Sequence, residues 1–149
     1  MATEVTADEV AAVYPQVAEI IADALGCDTA QVGLEVALID GLNAESIDFL
    51  DIVFRLERCF KVRIPRGRVI REARGALSEE EFEHKGYLTA AGLRRLREYM
   101  SEVPPERFPT RVKVGDVPRL FTVETFCRAV VRAQKNPPPP DELEPETTA

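Results

Sequence analysis

Histidine is nearly absent: the 149 residues contain one, His84, set between Glu83 and Lys85 in a polar stretch. A histidine-based triad and a histidine-centred metal cluster therefore find no support, and His84 is expected to be a solvated surface side chain. Cysteine is scarce too. Cys27, Cys59 and Cys127 are an odd number without metal-ligand spacing, so neither a complete disulfide framework nor a zinc site is indicated, and all three are expected to pack against a core. No Gly-rich phosphate loop or Cys pair offers another chemistry. Carboxylates are plentiful, but a charge run without a pocket partner is a solvated face. The sequence reads as that of a protein that is not an enzyme.

Long apolar runs are missing as well. None approaches the roughly 18 to 20 residues needed to cross a bilayer, and the first ten residues, MATEVTADEV, have neither the basic start nor the apolar centre of a secretory signal. A cytoplasmic chain with no stable membrane insertion is expected. Basic charge in excess is the last absence: 19 Lys and Arg stand against 26 Asp and Glu, a formal net charge of -7. A phosphate-backbone binder needs concentrated Lys and Arg to displace counterions, so nucleic acid is not an expected partner.

What is present is unevenly distributed. Residues 1–65 hold 4 basic and 12 acidic side chains, residues 66–135 hold 15 and 10, and the tail from 136 holds 4 acidic ones. An acidic unit is thus followed by a basic one. With 45% hydrophobic composition the chain is long enough for one compact domain with an appendage and too short for two large ones. The expected organisation is a single domain over residues 1–135 and a disordered, Pro-rich, acidic tail over 136–149, NPPPPDELEPETTA.

Helical spacing is clearest in three places. Val17, Ile20, Ile21, Ala24 and Leu25 recur on one face of a segment from Pro15, suited to a first helical position, to Gly26, suited to a stop. Upstream, Thr6 and Glu9 have capping-box spacing, and Val10 and Val13 extend the stripe, so a short preceding helix or a kink at Pro15 is the reading there. Residues 123–134 follow Thr122 as an N-cap and align Val123, Phe126, Cys127, Val130 and Val131. Between Cys27 and Glu45 periodicity is lost while apolar anchors remain, which reads as a long anchored loop.

Residues 46–60, SIDFLDIVFRLERCF, carry the strongest pattern, and it is double. At about 100° per residue, Phe49, Ile52, Val53, Leu56 and Phe60 share one face while Ile47, Leu50 and Phe54 gather on another. The first stripe is core. The second is open to three readings: packing beneath the residues that follow, a docking face for partners, or the mouth of a cavity for an apolar cargo. In the basic segment, Ser78 and Glu81 have capping-box spacing, and residues 89–100 form a helix burying Leu93, Leu96 and Met100, with Gly92 weakening it. Leu50 and Phe54 are candidates to cover that apolar face, and Arg94, Arg95 and Arg97 read as its solvated side. Val112 and Val114 alternate like a short extended segment.

The run LNAESIDFLDIVFRLERCFKVRIP, residues 42–65, resembles the acyl carrier proteins. The features that carry the likeness are Ser46 at a helix start, then Ile47 and Asp48, and a close through Leu56, Glu57, Phe60, Ile64 and Pro65. It extends upstream through Val17, Ile20, Ile21, Leu25, Gly26, Val32 and Leu42, and resumes at residues 121–131. The resemblance implies an all-α, acyl-carrier-like helical bundle with an extra helical insert: residues 15–65 and 120–134 as carrier core, 66–119 as the insert. It also implies a 4'-phosphopantetheine group on Ser46, holding an acyl chain as a thioester. The implied partners are a phosphopantetheinyl transferase and the acyl-loading, synthase or acyltransferase enzymes of fatty-acid, lipid or polyketide-type synthesis.

Docking of those partners is assigned to Ile47, Asp48, Asp51 and Phe54, which flank Ser46. Three features depart from the family pattern. Glu45 stands where Asp is usual; Arg55, Arg58, Lys61 and Arg63 make the helix and its exit less acidic; and residues 66–119 replace a short third helix, as an extended segment does in some specialised carriers, including those for very long chains in lipid A assembly. A carrier-derived adaptor that is never modified is the alternative from another class, and an aminoacyl or peptidyl carrier is a third.

Overall fold

The computed structural model describes residues 5–65 and 67–135. Three long helices make the main bundle. Helix α1 (Ala7–Leu25) starts eight residues before Pro15 because the Thr6–Glu9 capping box forms: Glu9 donates its amide to Thr6 Oγ1 at 3.2 Å, and the Thr6 amide donates to Glu9 Oε1 at 2.9 Å. Pro15 is therefore inside the helix rather than at its first position. Proline there removes one N–H, the one that would bond the Ala11 carbonyl; the burial of Val10, Val13 and Val17 on one stripe carries the helix through it. Gly26 ends α1 in the left-handed conformation at φ 70°, which costs glycine nothing.

The expected loop from Cys27 to Glu45 contains more structure than its pattern announced. A 3-10 turn at Thr29–Gln31 and a five-residue helix, α2 (Leu38–Leu42), interrupt it. Such short elements bury few side chains, here Leu38, and leave no periodicity to read. Helix α3 (Ser46–Phe60) has the expected bounds, and α7, the last (Val123–Lys135), follows Thr122, whose Oγ1 accepts the Thr125 amide at 3.3 Å. Val17, Ile21, Ile52, Leu56, Val123 and Val130 are fully buried where α1, α3 and α7 meet. Cys127 belongs to this core, and burial pushes its thiol up to about 12. Cys59, by contrast, is exposed on α3 and Cys27 half-buried, so only part of the packing expected of the cysteines is realised.

Between α3 and α7 lies an ordered insert of short pieces: α4 (Arg68–Arg74), α5 (Glu79–Phe82), a hairpin of β1 (Glu83–His84) and β2 (Tyr87–Leu88), and α6 (Ala90–Tyr99). The Ser78–Glu81 capping box forms, and Thr89 caps α6 through the Gly92 amide. The hairpin pairs Glu83 with Leu88 and His84 with Tyr87; its two turn residues, Lys85 and Gly86, both have positive φ, as a two-residue turn of this hand requires. His84 is exposed. The extended segment expected at Val112–Val114 lies alongside β2, with the Leu88 amide on the Val112 carbonyl and the Val114 amide on the Gly86 carbonyl. Apart from this strand structure and one isolated bridge between Ala37 and Thr122, the described residues are helices, turns and loops, an all-α architecture.

The insert has a core of its own. Leu96 and Met100 pack with Ala73, Val103, Val112 and Val117 of the insert and with Leu120 just beyond it, so the apolar face of α6 is covered by these residues and not by Leu50 and Phe54. Gly92 is needed in α6: a Cβ there would lie 2.1 Å from the Phe82 carbonyl oxygen. The two cores meet at Phe121, which packs against both. Polar ties join them as well. Arg107 and Arg119 each approach Asp40 at 3.6 Å, and Glu102 accepts the Thr125 hydroxyl at 2.7 Å while facing Arg128 at 3.5 Å. The Pro-rich tail, 136–149, is outside the described residues.

Candidate functional site

Ser46 is the first residue of α3 and is exposed. Its position is fixed from both sides. Upstream, the Ala44 amide donates to the Leu38 carbonyl at 2.9 Å and Ala44 is buried, so the chain enters the helix from an anchored turn. Downstream, Asp48 Oδ2 accepts the Glu45 amide at 2.8 Å while the Asp48 amide donates to the Glu45 carbonyl at 2.9 Å. Asp48 thus does more than present charge: it closes the first turn of α3 around Ser46.

The turn is pinned in turn to α7. Leu38 donates its amide to the Phe121 carbonyl, Val123 to Val36 and Glu124 to Leu34, and Ala37 pairs with Thr122. Beneath them three rings converge from two helices and the segment before α7. Phe49 stacks on Phe121 with centroids 5.8 Å apart, and Phe126 meets both edge-on at 5.7 and 5.9 Å, geometries aromatic pairs favour. Sequence periodicity placed Phe49 and Phe126 in the core but gave no sign that Phe121 would join them.

The four residues assigned to docking do lie along α3 beyond Ser46. Ile47 is 69% exposed and Phe54 54%, the exposed large hydrophobic side chains among the described residues. Asp51 is half-exposed and accepts Arg55 Nε at 3.1 Å, and Arg55 reaches on to Asp23 at 3.8 Å. Leu50, the remaining member of the second stripe, is half-buried.

Leu50 and Phe54 look into a cleft of about 640 Å³ between α3, α7 and the insert. Val53, Phe121, Phe126 and Ala129 line it from the main bundle, and Val69, Ile70, Tyr99, Val117 and Pro118 from the insert. Its charged lining residues are Glu57, Arg63, Arg68 and Arg132. Arg132 lies over the Tyr99 ring at 4.1 Å, the Tyr99 hydroxyl donates to Glu72 at 2.5 Å, and Glu72 accepts Arg68 Nε at 2.6 Å. Burial pushes the Tyr99 phenol well above its ordinary range. The insert side of this cleft was not legible in the sequence, because its residues come from a short helix, the end of α6 and a 3-10 turn, none with a long period.

What can this site hold? Among the described residues no cluster of His, Cys, Asp or Glu is suited to a metal, and no helix is long and apolar enough to cross a membrane. An exposed serine hydroxyl at the start of a 15-residue helix is different. First-turn amides lack carbonyl partners one turn back, and together with the helix dipole they favour a negatively charged phosphate on that hydroxyl. The residues present fit a phosphodiester at Ser46, with an apolar cleft opening one turn further on.

Comparison with known proteins bears on this geometry. The family model described as "Phosphopantetheine attachment site" matches residues 15–73. Acyl carrier protein AcpXL of Rhizobium etli is 39% identical over 72 residues, 48% of this chain and 78% of that relative. The AcpXL of Rhizobium meliloti is 38% identical over 74 residues, 49% of this chain and 78% of its own length. An acyl carrier protein of Clostridium acetobutylicum is 38% identical over 53 residues, covering 36% of this chain and 69% of the relative. No solved structure matches this chain.

Proposed function

The chain belongs to the acyl carrier protein family, and from that premise we propose that Ser46 bears its phosphopantetheine arm and that the arm presents an acyl chain to partner enzymes. Membership makes the chain a non-catalytic carrier whose 4'-phosphopantetheine is covalently attached. When bound, that group supplies a thiol on which the cargo is held as a thioester. The protein's own residues supply position and recognition. Ser46 provides the hydroxyl, the first turn of α3 stabilises the phosphate charge, and Asp48 keeps that turn closed.

One observation carries the choice of Ser46: it is an exposed serine opening a helix whose first turn is locked by Asp48 and whose next exposed groups are Ile47 and Phe54. Ile47, Asp48, Asp51 and Phe54 form the docking face for a phosphopantetheinyl transferase and for loading, synthase or acyltransferase enzymes of fatty-acid, lipid or polyketide-type synthesis. These partners would meet the carrier in the cytoplasm. Residues 66–119 wall the cleft beside this face, and so belong to the cargo site of a single carrier domain over 1–135.

Loading tests the proposal. After treatment with a broad-specificity phosphopantetheinyl transferase and coenzyme A, and then with an acyl-loading enzyme, the wild type should gain the arm and then an acyl group labile to hydroxylamine. Ser46→Ala should gain neither while keeping its helical circular dichroism. A wild type that no transferase modifies would leave an unmodified adaptor as the better reading.

A further inference from the structure

We propose that the acidic tail, through Asp141, Glu142, Glu144 and Glu146, docks on the basic exit of α3 formed by Arg58, Lys61 and Arg63. The inference concerns this chain's own surface and holds whether or not Ser46 carries an arm.

The first 54 residues contain no Lys or Arg, and the four basic residues of the acidic unit, Arg55, Arg58, Lys61 and Arg63, all fall within nine positions at the end of α3. Arg55 is taken up by Asp51 at 3.1 Å and Asp23 at 3.8 Å. The other three are exposed. Among the described residues Arg63 has only a long approach of 3.7 Å to Glu57, whose other oxygen accepts the Ile64 amide at 2.8 Å, and Arg58 and Lys61 make no ion pair. Cations gathered in one place on an otherwise acidic bundle attract an acidic segment, while the rest of that surface repels it.

The tail starts beside this exit. Asp23 faces Arg55 and Gln16 faces Cys59, so α1 is antiparallel to α3. Helix α7 begins beside Phe49 and finishes with Lys135 on Glu9, near the start of α1, so it runs parallel to α3 and the two end on the same side of the bundle. Arg63 and Arg132, the latter three residues before the end of α7, line the same cleft. Beyond Lys135 come Asn136 and four prolines. Pro-rich chain covers about 3.1 Å per residue, which carries residue 141 up to about 19 Å from Lys135, more than the roughly 10 Å between neighbouring helices.

Two other surfaces lie near the end of α7, and both suit the tail less well. The start of α1 carries Asp8, Glu9 and Glu19 and no base. Exposed Arg71 and Arg97, near Tyr99 and Arg132, each have a glutamate next in sequence, whereas from Arg58 to Arg63 every charge is positive. Exposed pairs are individually weak and screened by salt, so the contact needs several of the four acids together. Tethering favours the tail over a free acidic partner, because a joined segment acts at a high effective concentration. Arg58 lies one turn beyond Phe54, so the docked tail borders the face assigned to partners.

Nuclear magnetic resonance of the full, isotope-labelled chain tests this, with a nitroxide on Cys59, exposed within the exit itself, and Cys27→Ser to keep the label single. At low salt the amides of Asp141, Glu142, Glu144 and Glu146 should broaden, and they should sharpen again at about 0.5 M salt. Neutralising the tail by Asp141→Asn with Glu142→Gln, Glu144→Gln and Glu146→Gln should abolish the broadening, and so should Arg58→Glu with Lys61→Glu and Arg63→Glu. In the chain without a nitroxide, neutralising the tail should shift the amides of residues 58–63 and leave the α1 and α7 core unmoved. Tail amides that stay sharp at low salt, broadening that survives salt or either set of substitutions, or shifts confined to the surroundings of Arg71 and Arg97 would overturn the proposal. It would equally fall if nitroxide-bearing chains broadened the tails of other copies in a mixture, which assigns the exit to a second copy. Binding to phosphatidylglycerol vesicles with tail amides that remain sharp would assign it to a lipid surface, and would overturn the proposal too.

Discussion

The main bundle and the insert bury similar kinds of side chain by different means. In the bundle, helices of 19, 15 and 13 residues bring fully buried Val, Ile and Leu together with few side-chain caps beyond Thr6 and Thr122. The insert is built from helices of 7, 4 and 10 residues, and each piece is tied locally: Ser78 caps α5, Thr89 caps α6 and bonds the Glu81 and Phe82 carbonyls, and Gly92 lets α6 close on Phe82. Short helices are marginal alone, so the insert's order depends on caps and close approach where the bundle's depends on packing area. On the proposed function, a stiff bundle would hold Ser46 and a separately built wall would face the cleft beside it.

The largest effect should come from the bundle. Leu56→Ala removes a fully buried side chain and should cost about 2–5 kcal/mol in urea titration; a loss near zero would mean that the bundle is held by something other than this packing. Gly92→Ala probes the insert, and its sign is informative. Helix propensity alone would make alanine stabilising by about 1 kcal/mol, whereas the clash with the Phe82 carbonyl predicts destabilisation by about 1–3 kcal/mol, with faster hydrogen exchange concentrated in residues 79–100.

Phe54→Ala separates docking from packing. More than half exposed, it should change stability by no more than about 0.5 kcal/mol yet slow turnover by a transferase or loading enzyme several-fold. A loss of about 3–5 kcal/mol would make it a core residue instead. The smallest effect is electrostatic. Lys135, 2.6 Å away, and the Thr6 amide hold the Glu9 carboxyl below the usual carboxylate range. The ionised form is thus favoured in the folded chain, and its contribution is present above the ordinary carboxylate pKa and lost as pH falls through the lowered one. Glu9→Gln, which keeps the capping geometry, should show a shallower drop in melting temperature on acidification than the wild type.

Legibility followed element length. Helix α3 was readable to the residue because fifteen positions carry two stripes, and α7 to within one residue, ending at Lys135 rather than at 134, because five core positions recur across it. Helix α1 was misjudged at its start, since the rule against interior proline outweighed a capping box that was visible at Thr6 and Glu9. Two pieces of the insert were visible, α5 through the Ser78–Glu81 capping box and α6 through its apolar positions, whereas α4, which has no side-chain cap, and the β1–β2 hairpin were not. Nor was the packing of the pieces, because Ala73, Leu96, Val112 and Val117 come from four elements whose meeting depends on tertiary contact. Ser46 and its neighbours on α3 could be proposed from the motif, and a cavity mouth was one of three readings of the second stripe, but the opposite side of the cleft could not be read: half of its wall, Tyr99 and Arg132 included, lies far from the motif in sequence.

The account rests on one covalent bond, and peptide fragmentation by mass spectrometry can locate it. After co-expression with a broad-specificity phosphopantetheinyl transferase, the full chain should carry a single phosphopantetheine, found on the peptide containing Ser46 and missing from Ser46→Ala. A modified Ser46→Ala, or an arm found on any other residue, would contradict it.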